Sequence, residues 1–199
     1  MSLPPYKRHT WSEYLDREAA TGRKHELVHG QLTAMTGGTV AHALLVAAVA
    51  GELRNLVRGS GCRVHSSEQR LTPRDKERAY YPDFSVTCGP IPLHPHDPHG
   101  ICDARLVGEV HSANSIRFDR GHKLYEYQEL PSCQHVVFVF PQAVRVDVFA
   151  KQPAGEWVLT SYGPGDLVPL ANDRQLSVDA LYDGIPLDPG GQRWIDSGT

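Results

Sequence analysis

The sequence predicts an α/β (α+β) domain, a mixed β-sheet flanked by helices on both faces. Three observations lead there. Apolar residues recur at helical spacing from Val40 to Arg58, the longest helix of the chain. Gln134-His135-Val136-Val137-Phe138-Val139-Phe140 is a nearly continuous apolar run, the pattern of a strand covered on both faces. The order of elements, helix, hairpin, long helix, strands, helix, strands, fits helices packed on both sides of one sheet. A chain of 199 residues suits a single domain, taken as 1–185, with 186–199 a loose tail rich in Gly and Pro.

In chain order, Thr10-Trp11-Ser12-Glu13 reads as a capping box opening a short helix to about Ala20, which Thr21-Gly22 ends. Lys24–Val28 and Gln31–Met35 form a hairpin around His29-Gly30, where Gly30 tolerates positive φ. The long helix presents Leu44, Leu45, Ala48, Val49, Leu53, Leu56 and Val57 as an amphipathic face, and Gly59 and Gly61 stop it. Cys62–His65 reads as a strand, Thr72–Ala79 as a polar connector and Tyr81–Cys88 as a strand of β-branched and aromatic residues. Gly89–Gly100, crowded with Pro and His, reads as a loop. Arg105–Val110 is a strand, and Ser115–Leu130 a second helix broken by Pro131. Ala143–Ala150 pairs with the 134–140 strand around Pro141-Gln142, Trp157–Tyr162 adds an edge strand, and Ser177–Tyr182 is a short terminal helix.

The composition, 40% hydrophobic and 22% charged, is that of a soluble globular protein. No apolar run approaches the ~20 residues of a membrane span, and the N-terminus lacks a signal-peptide core, so a cytoplasmic location and no membrane partner are expected. Cys62, Cys88, Cys102 and Cys133 form no CxxC pair, and reduced, partly buried thiols are expected. A net charge of −3 argues against a strong non-specific grip on DNA but not against a local basic face. Arg54, Arg58, Arg63, Arg70, Arg74, Lys76 and Arg78 make 54–78 the most basic stretch, suited either to tracking a phosphate backbone or to a solvated connector.

The chemistry concentrates on Asp83 and Glu109, at the ends of two strands, and on Lys123, on the helix that follows. Carboxylates on neighbouring strands can meet about 5 Å apart. Mg²⁺ binds through one or two carboxylates plus waters and phosphate oxygens, with the Val110 carbonyl as an added ligand. Such an ion polarises a phosphate and activates water, and a lysine stabilises the charge that develops. The alternative is that Asp83 belongs to a turn and Glu109 is an ordinary strand-edge charge. His94, His96, Asp97 and His99 could form a metal cluster, but a solvated loop is the better reading. His42, at the head of the long helix, suits capping or packing better than catalysis. Tyr125 and Tyr127 read as the core and the surface of one helix, respectively.

Tyr81-Pro82-Asp83-Phe84-Ser85-Val86, Leu106-Val107-Gly108-Glu109-Val110-His111-Ser112 and Asp119–Tyr127 resemble the Uma-type family of putative restriction endonucleases. So do His25-Glu26-Leu27-Val28-His29-Gly30-Gln31-Leu32, the helix opening at Ala41-His42 and the strand after Gln134. The resemblance runs from roughly Thr10 to Tyr182 with the motifs in family order. It implies a restriction-endonuclease-like fold of the PD-(D/E)xK superfamily, a nuclease site using Mg²⁺ or Mn²⁺, DNA as substrate and often a homodimer. Carried across, Asp83 is the Asp of "PD", Glu109 the acidic residue of "ExK", Glu26 a glutamate near the metal, and Lys123 a helix lysine replacing the strand lysine. That strand position here is His111. Either Lys123 fills the space, or His111 takes a partial role, or the site is weakened. Two rivals stand beside the nuclease reading: a catalytically silent dimeric nucleic-acid-binding or interaction module of the same fold, and an unrelated metal hydrolase built on the His-rich loop.

Overall fold

The computed structural model describes residues 8–74, 77–111, 119–170 and 174–188, and the backbone alone at 119 and 120. The elements are α1 (Trp11–Thr21), β1 (His25–Val28), β2 (Gln31–Ala34), α2 (Val40–Val57), β3 (Cys62–Ser66), β4 (Arg70–Leu71), β5 (Phe84–Cys88), β6 (Leu93–His94), β7 (Asp97–Ile101) and β8 (Leu106–Val110). They continue with α3 (Asp119–Gln128), β9 (His135–Val139), β10 (Val146–Lys151), β11 (Trp157–Tyr162), β12 (Leu167–Leu170), β13 (Arg174–Ser177) and α4 (Val178–Tyr182).

A six-stranded sheet runs β11-β10-β9-β8-β5-β3. Only its β8–β9 pair is parallel; the other pairs are antiparallel, so the sheet is mixed. Parallel neighbours need a crossover rather than a tight turn. Here the chain between β8 and β9 carries α3, which lies over one face of the sheet. That connection is why a helix residue can reach a β8 side chain.

One core lies under α2 and α4, where Leu45, Val49 and Leu53 meet Phe84, Val86, Leu106, Val137 and Leu181. The other lies under α3, where Tyr127 and Leu130 meet Tyr80, Val107, Val136 and Phe138. Between the two, the Phe84 ring lies against Gly108 so closely that a Cβ there would sit 2.1 Å from two ring carbons. Only glycine leaves room for the β5–β8 contact at this register.

The local signals at the N-terminus hold. Thr10 and Glu13 exchange both bonds of the capping box, and Gly22 closes α1 in the left-handed conformation. His29 and Gly30 both have positive φ, 50° and 80°, as a primed two-residue hairpin turn requires.

Five expectations need correction. Cys62 and Cys88 sit directly opposite each other on β3 and β5 and form a disulfide, while Cys102 and Cys133 are free and buried. The expectation of four reduced thiols missed a pairing that sequence separation hides and sheet register creates. The stretch 89–100 is not an open loop, because β6 and β7 join β4 in a three-stranded sheet. Pro98 falls at a β7 position with no ladder partner, where its missing N–H costs nothing. β12 and β13 form a further hairpin in a region given no element. The long helix is less amphipathic than expected. Ala41, Leu45, Val49 and Leu53 face the core, yet exposed Val40, Ala43, Leu44 and Ala47 are apolar as well. By length and composition α2 could cross a membrane, with mean hydropathy 1.4 over its 18 residues; here its inner edge covers the first core. Lastly, the tail is pinned as far as Asp188, which donates to the Pro141 carbonyl at 2.8 Å and accepts from Thr39 Oγ1 at 2.8 Å. Residues 189–199, and the expected start of the second helix at Ser115, lie outside the described residues.

Candidate active site

Asp83 lies one step beyond the Phe84–Gly108 pair of β5 and β8, which sets it opposite Glu109. Both are 8% exposed. Asp83 Oδ2 accepts the Val110 N–H at 2.8 Å and contacts His42 Nε2 at 3.2 Å. Pro82 precedes it and has no N–H to give the Val110 carbonyl at the next rung of the β5–β8 ladder, while the Val110 N–H is taken by the Asp83 carboxylate. The Val110 carbonyl leaves the strand on the same side as its N–H.

Glu109 projects toward α3. Its Oε1 accepts from Tyr127 Oη at 2.6 Å and from Lys123 Nζ at 3.3 Å. Lys123 and Tyr127 stand one helical turn apart, so they share one face of α3. Lys123 Nζ also meets Glu26 Oε1 at 2.9 Å, and that oxygen accepts the Tyr81 N–H at 3.3 Å. The ammonium therefore bridges glutamates from β1 and β8. Glu26, Glu109 and Lys123 meet by direct contact, and Asp83 joins them through the β8 backbone.

His111 is on the same face of the chain as Glu109, two residues on, but its ring packs 4.4 Å from that of Phe138 and 6.1 Å from that of Phe140. The cation at Glu109 comes from α3.

Burial pushes the Glu109 carboxyl up to about 7, with the charges of Asp83 and Glu26 adding to the rise and Lys123 and the Tyr127 hydroxyl opposing it. His42 is raised above its ordinary value, chiefly by its hydrogen bond to Asp83, while burial works the other way. Burial drives the Tyr127 phenol well above its normal range, so it donates to Glu109 as a neutral hydroxyl.

A divalent cation fits this donor set. Among the described residues every protein contact of Asp83 runs through Oδ2, and every contact of Glu109 and of Glu26 runs through Oε1. Among the described residues the second oxygen of each carboxylate takes part in none of these contacts. Hard oxygen donors suit Mg²⁺ or Mn²⁺. Among the described residues no three His, Cys, Asp or Glu side chains stand close enough to cage an ion by themselves.

Two residues of this constellation escaped sequence reasoning as functional groups. Tyr127 was placed on the helix surface and Tyr125 in the core, and the structure reverses them, with Tyr127 1% and Tyr125 58% exposed; the Tyr127 hydroxyl serves Glu109. The i, i+4 spacing from Lys123 was the available signal. His42 was read as a cap or packing residue. Thr39 Oγ1 caps α2 by accepting the His42 N–H at 3.1 Å, and the His42 ring is left for Asp83. Gly38 makes the space, since a Cβ there would lie 2.5 Å from His42 Nδ1.

The histidine-rich segment does not reach this site. His94 is buried beside Trp11, their ring centroids 6.0 Å apart, and Asp97 pairs with Arg70 at 3.1 Å. Two members of the basic stretch are also internal. Arg70 bonds Glu18 and Asp97, and Arg78 pairs with buried Glu126.

Comparison with known proteins bears on the family and the fold. Residues 11–185 match the family model Uma2, described as "Putative restriction endonuclease". An uncharacterized protein of Synechocystis sp., slr1290, is 29% identical over 182 residues, covering 91% of this chain and 95% of that one. A second uncharacterized Synechocystis protein, sll1609, is 24% identical over 151 residues, or 76% of this chain and 85% of that one. The fold resembles the crystal structure of a putative nuclease of DUF820 from Anabaena variabilis, with a TM-score of 0.70 and 19% identity over 87% of this chain and 97% of that one. A restriction-endonuclease-like mixed sheet, a model match over nearly the whole chain and the sequence motifs in family order lead to one conclusion: the chain belongs to the Uma2 family of restriction-endonuclease-type proteins.

Proposed function

We propose that this chain is a divalent-metal-dependent endonuclease that hydrolyses DNA phosphodiester bonds through a PD-(D/E)xK-like site. The observation that carries the proposal is the Lys123 ammonium held between Glu109 and Glu26, beside an Asp83 already fixed by the Val110 amide. Asp83 and Glu109 would hold Mg²⁺ or Mn²⁺ with their second oxygens, helped by the Val110 carbonyl. When bound, the ion supplies polarisation of the phosphoryl group and a water of lowered pKa. The chain's own groups do the rest. Lys123 places positive charge where negative charge develops on the phosphoryl oxygens. Glu26 holds that ammonium in place. His42 and the Val110 N–H orient Asp83, and Tyr127 orients Glu109. Overall, water gives its hydroxyl to phosphorus and its proton to the departing oxygen as one P–O bond breaks.

The test is nicking of supercoiled plasmid with Mg²⁺, Mn²⁺ or EDTA. Cleavage should require the metal and fall by at least about 10²-fold in Asp83→Ala, Glu109→Ala and Lys123→Ala, the scale of losing one transition-state donor. Wild-type protein that binds DNA equally with and without metal, and never cuts it, would be the silent binding module instead. A homodimer and a cytoplasmic site of action are proposed on the resemblance and the composition. Sedimentation of the full chain tests the first, and fractionation of cells the second.

A further inference from the structure

Four arginines of the basic stretch are left on the surface once Arg70 and Arg78 are accounted for; Arg74 reaches Cys102 Sγ at 3.7 Å, and the other three gather at the end of α2. Arg54 and Arg58 project from the last two turns of α2 and its cap, and Arg63 from β3; all three are exposed. They line a groove of about 440 Å³ together with Val57, Gly59 and His65. Among the described residues none of the three meets a carboxylate. Arg58 donates to Asn55 Oδ1 at 3.1 Å and Arg63 to the Gly89 carbonyl at 2.7 Å. Arg174 brings a fourth guanidinium to the rim, bonding the carbonyls of Leu56 and Arg58 at the end of α2. Elsewhere in this net-acidic chain, Arg70, Arg78 and Arg145 are each neutralised by an acid.

One member of the groove, Arg63, shares a sheet face with the candidate active site, while Arg54 and Arg58 reach the same sheet edge from α2, which covers the other face. β3 is an edge strand of the main sheet and pairs only with β5. Arg63 lies opposite Thr87, and His65 opposite Ser85. Side chains alternate along a strand, so Thr87, Ser85 and Asp83 point to one face. Arg63 therefore stands on the same side of the sheet as Asp83, four residues along it. At about 3.4 Å per residue that offset is roughly 14 Å, or about four base pairs at 3.4 Å each. No Phe, Tyr or Trp lines the groove. Single-strand grooves rely on aromatic platforms for base stacking, whereas a duplex backbone needs only cations at its phosphates.

We infer that Arg54, Arg58 and Arg63 form a backbone clamp for duplex DNA on the β3 edge, with Arg63 seating a phosphate about four base pairs from the bond that is cut. The inference rests on the proposed nuclease function and specifies its substrate as a duplex gripped independently of sequence. The guanidiniums position the substrate and take no part in bond breaking.

The experiment follows binding of a fluorescent 20-base-pair duplex by anisotropy, from about 50 to 200 mM KCl, in Ca²⁺ to hold back cleavage. Each neutralised phosphate contributes about 0.9 to the slope of log K against log salt. In Arg54→Ala/Arg58→Ala/Arg63→Ala the slope should fall by about 2.7. Over that salt range wild type should then lose about 40-fold more affinity than the variant. The triple lysine variant should keep the wild-type slope, which separates lost charge from lost folding, and single-stranded 20-mers should bind both proteins weakly. An unchanged slope in a folded triple alanine variant overturns the clamp, as does equally tight binding of single strands. Metal-dependent cutting by wild type with an unchanged slope removes the clamp alone. The expected slope change without cutting under any metal removes the nuclease reading alone.

Discussion

Replacing Glu109 with Gln should stabilise the metal-free protein at alkaline pH. The carboxyl is buried among Asp83 and Glu26, and its pKa rises from 4.5 to about 7 in the fold. One pKa unit is worth about 1.36 kcal/mol, so ionising Glu109 in the folded state costs on the order of 3 kcal/mol. The sign follows from proton binding. Between pH 4.5 and 7 the folded chain holds a proton on Glu109 that the unfolded chain has lost. Folding stability must therefore fall as pH rises through that window and level off above it. His42 acts in the same direction, because its raised pKa gives stability below about 6.5 that is lost as pH rises through the folded value. It is present in both proteins and largely cancels in the comparison. Urea unfolding in EDTA at pH 5 and pH 8 measures the difference. Wild type should lose about 3 kcal/mol more than Glu109→Gln across that span, and millimolar Mg²⁺ should restore much of the loss to wild type alone by binding the ionised carboxylate. Parallel stability curves for the two proteins would refute the account of a buried acid waiting for a cation.

Tyr127→Phe removes the hydroxyl that lowers the Glu109 pKa, so its pH–rate profile should shift to higher pH with modest loss at the plateau; an unshifted profile argues that Tyr127 only packs. Gly108→Ala drives a methyl into the Phe84 ring and should cost about 1–3 kcal/mol as overpacking, seen as a lowered Tm. Cys62→Ser/Cys88→Ser opens a link spanning 26 residues. It should lower stability by about 3 kcal/mol, matched by adding reductant to wild type and absent when reductant is added to the variant.

Much of this molecule was legible in one dimension, and the legible parts share a property. Capping boxes, hairpin turns, helix stops and apolar runs depend on neighbours within a few residues, so Thr10-Glu13, His29-Gly30, the apolar stretch to Val57 and β9 could all be placed. Asp83 and Glu109 were legible because strand-end carboxylates stand out against apolar strands. The failures were cases where a distant partner overrode a local signal. Proline-rich 89–100 became strands because Arg70 and Asp97 pair across that small sheet at 3.1 Å. Cys62 and Cys88 were brought opposite by register, and Asp188 was held by Thr39 and Pro141.

The residue order alone marked which side chains are candidates for metal-assisted chemistry and which family pattern the chain follows, since residue type and motif order are properties of the chain. Tertiary structure decided which cation serves Glu109. The parallel β8–β9 pair forces a crossover that carries Lys123 and Tyr127 back over the sheet, while His111 is stacked among aromatic rings. A charge acts over a few ångströms of space, and only the folded path of the backbone fixes those distances.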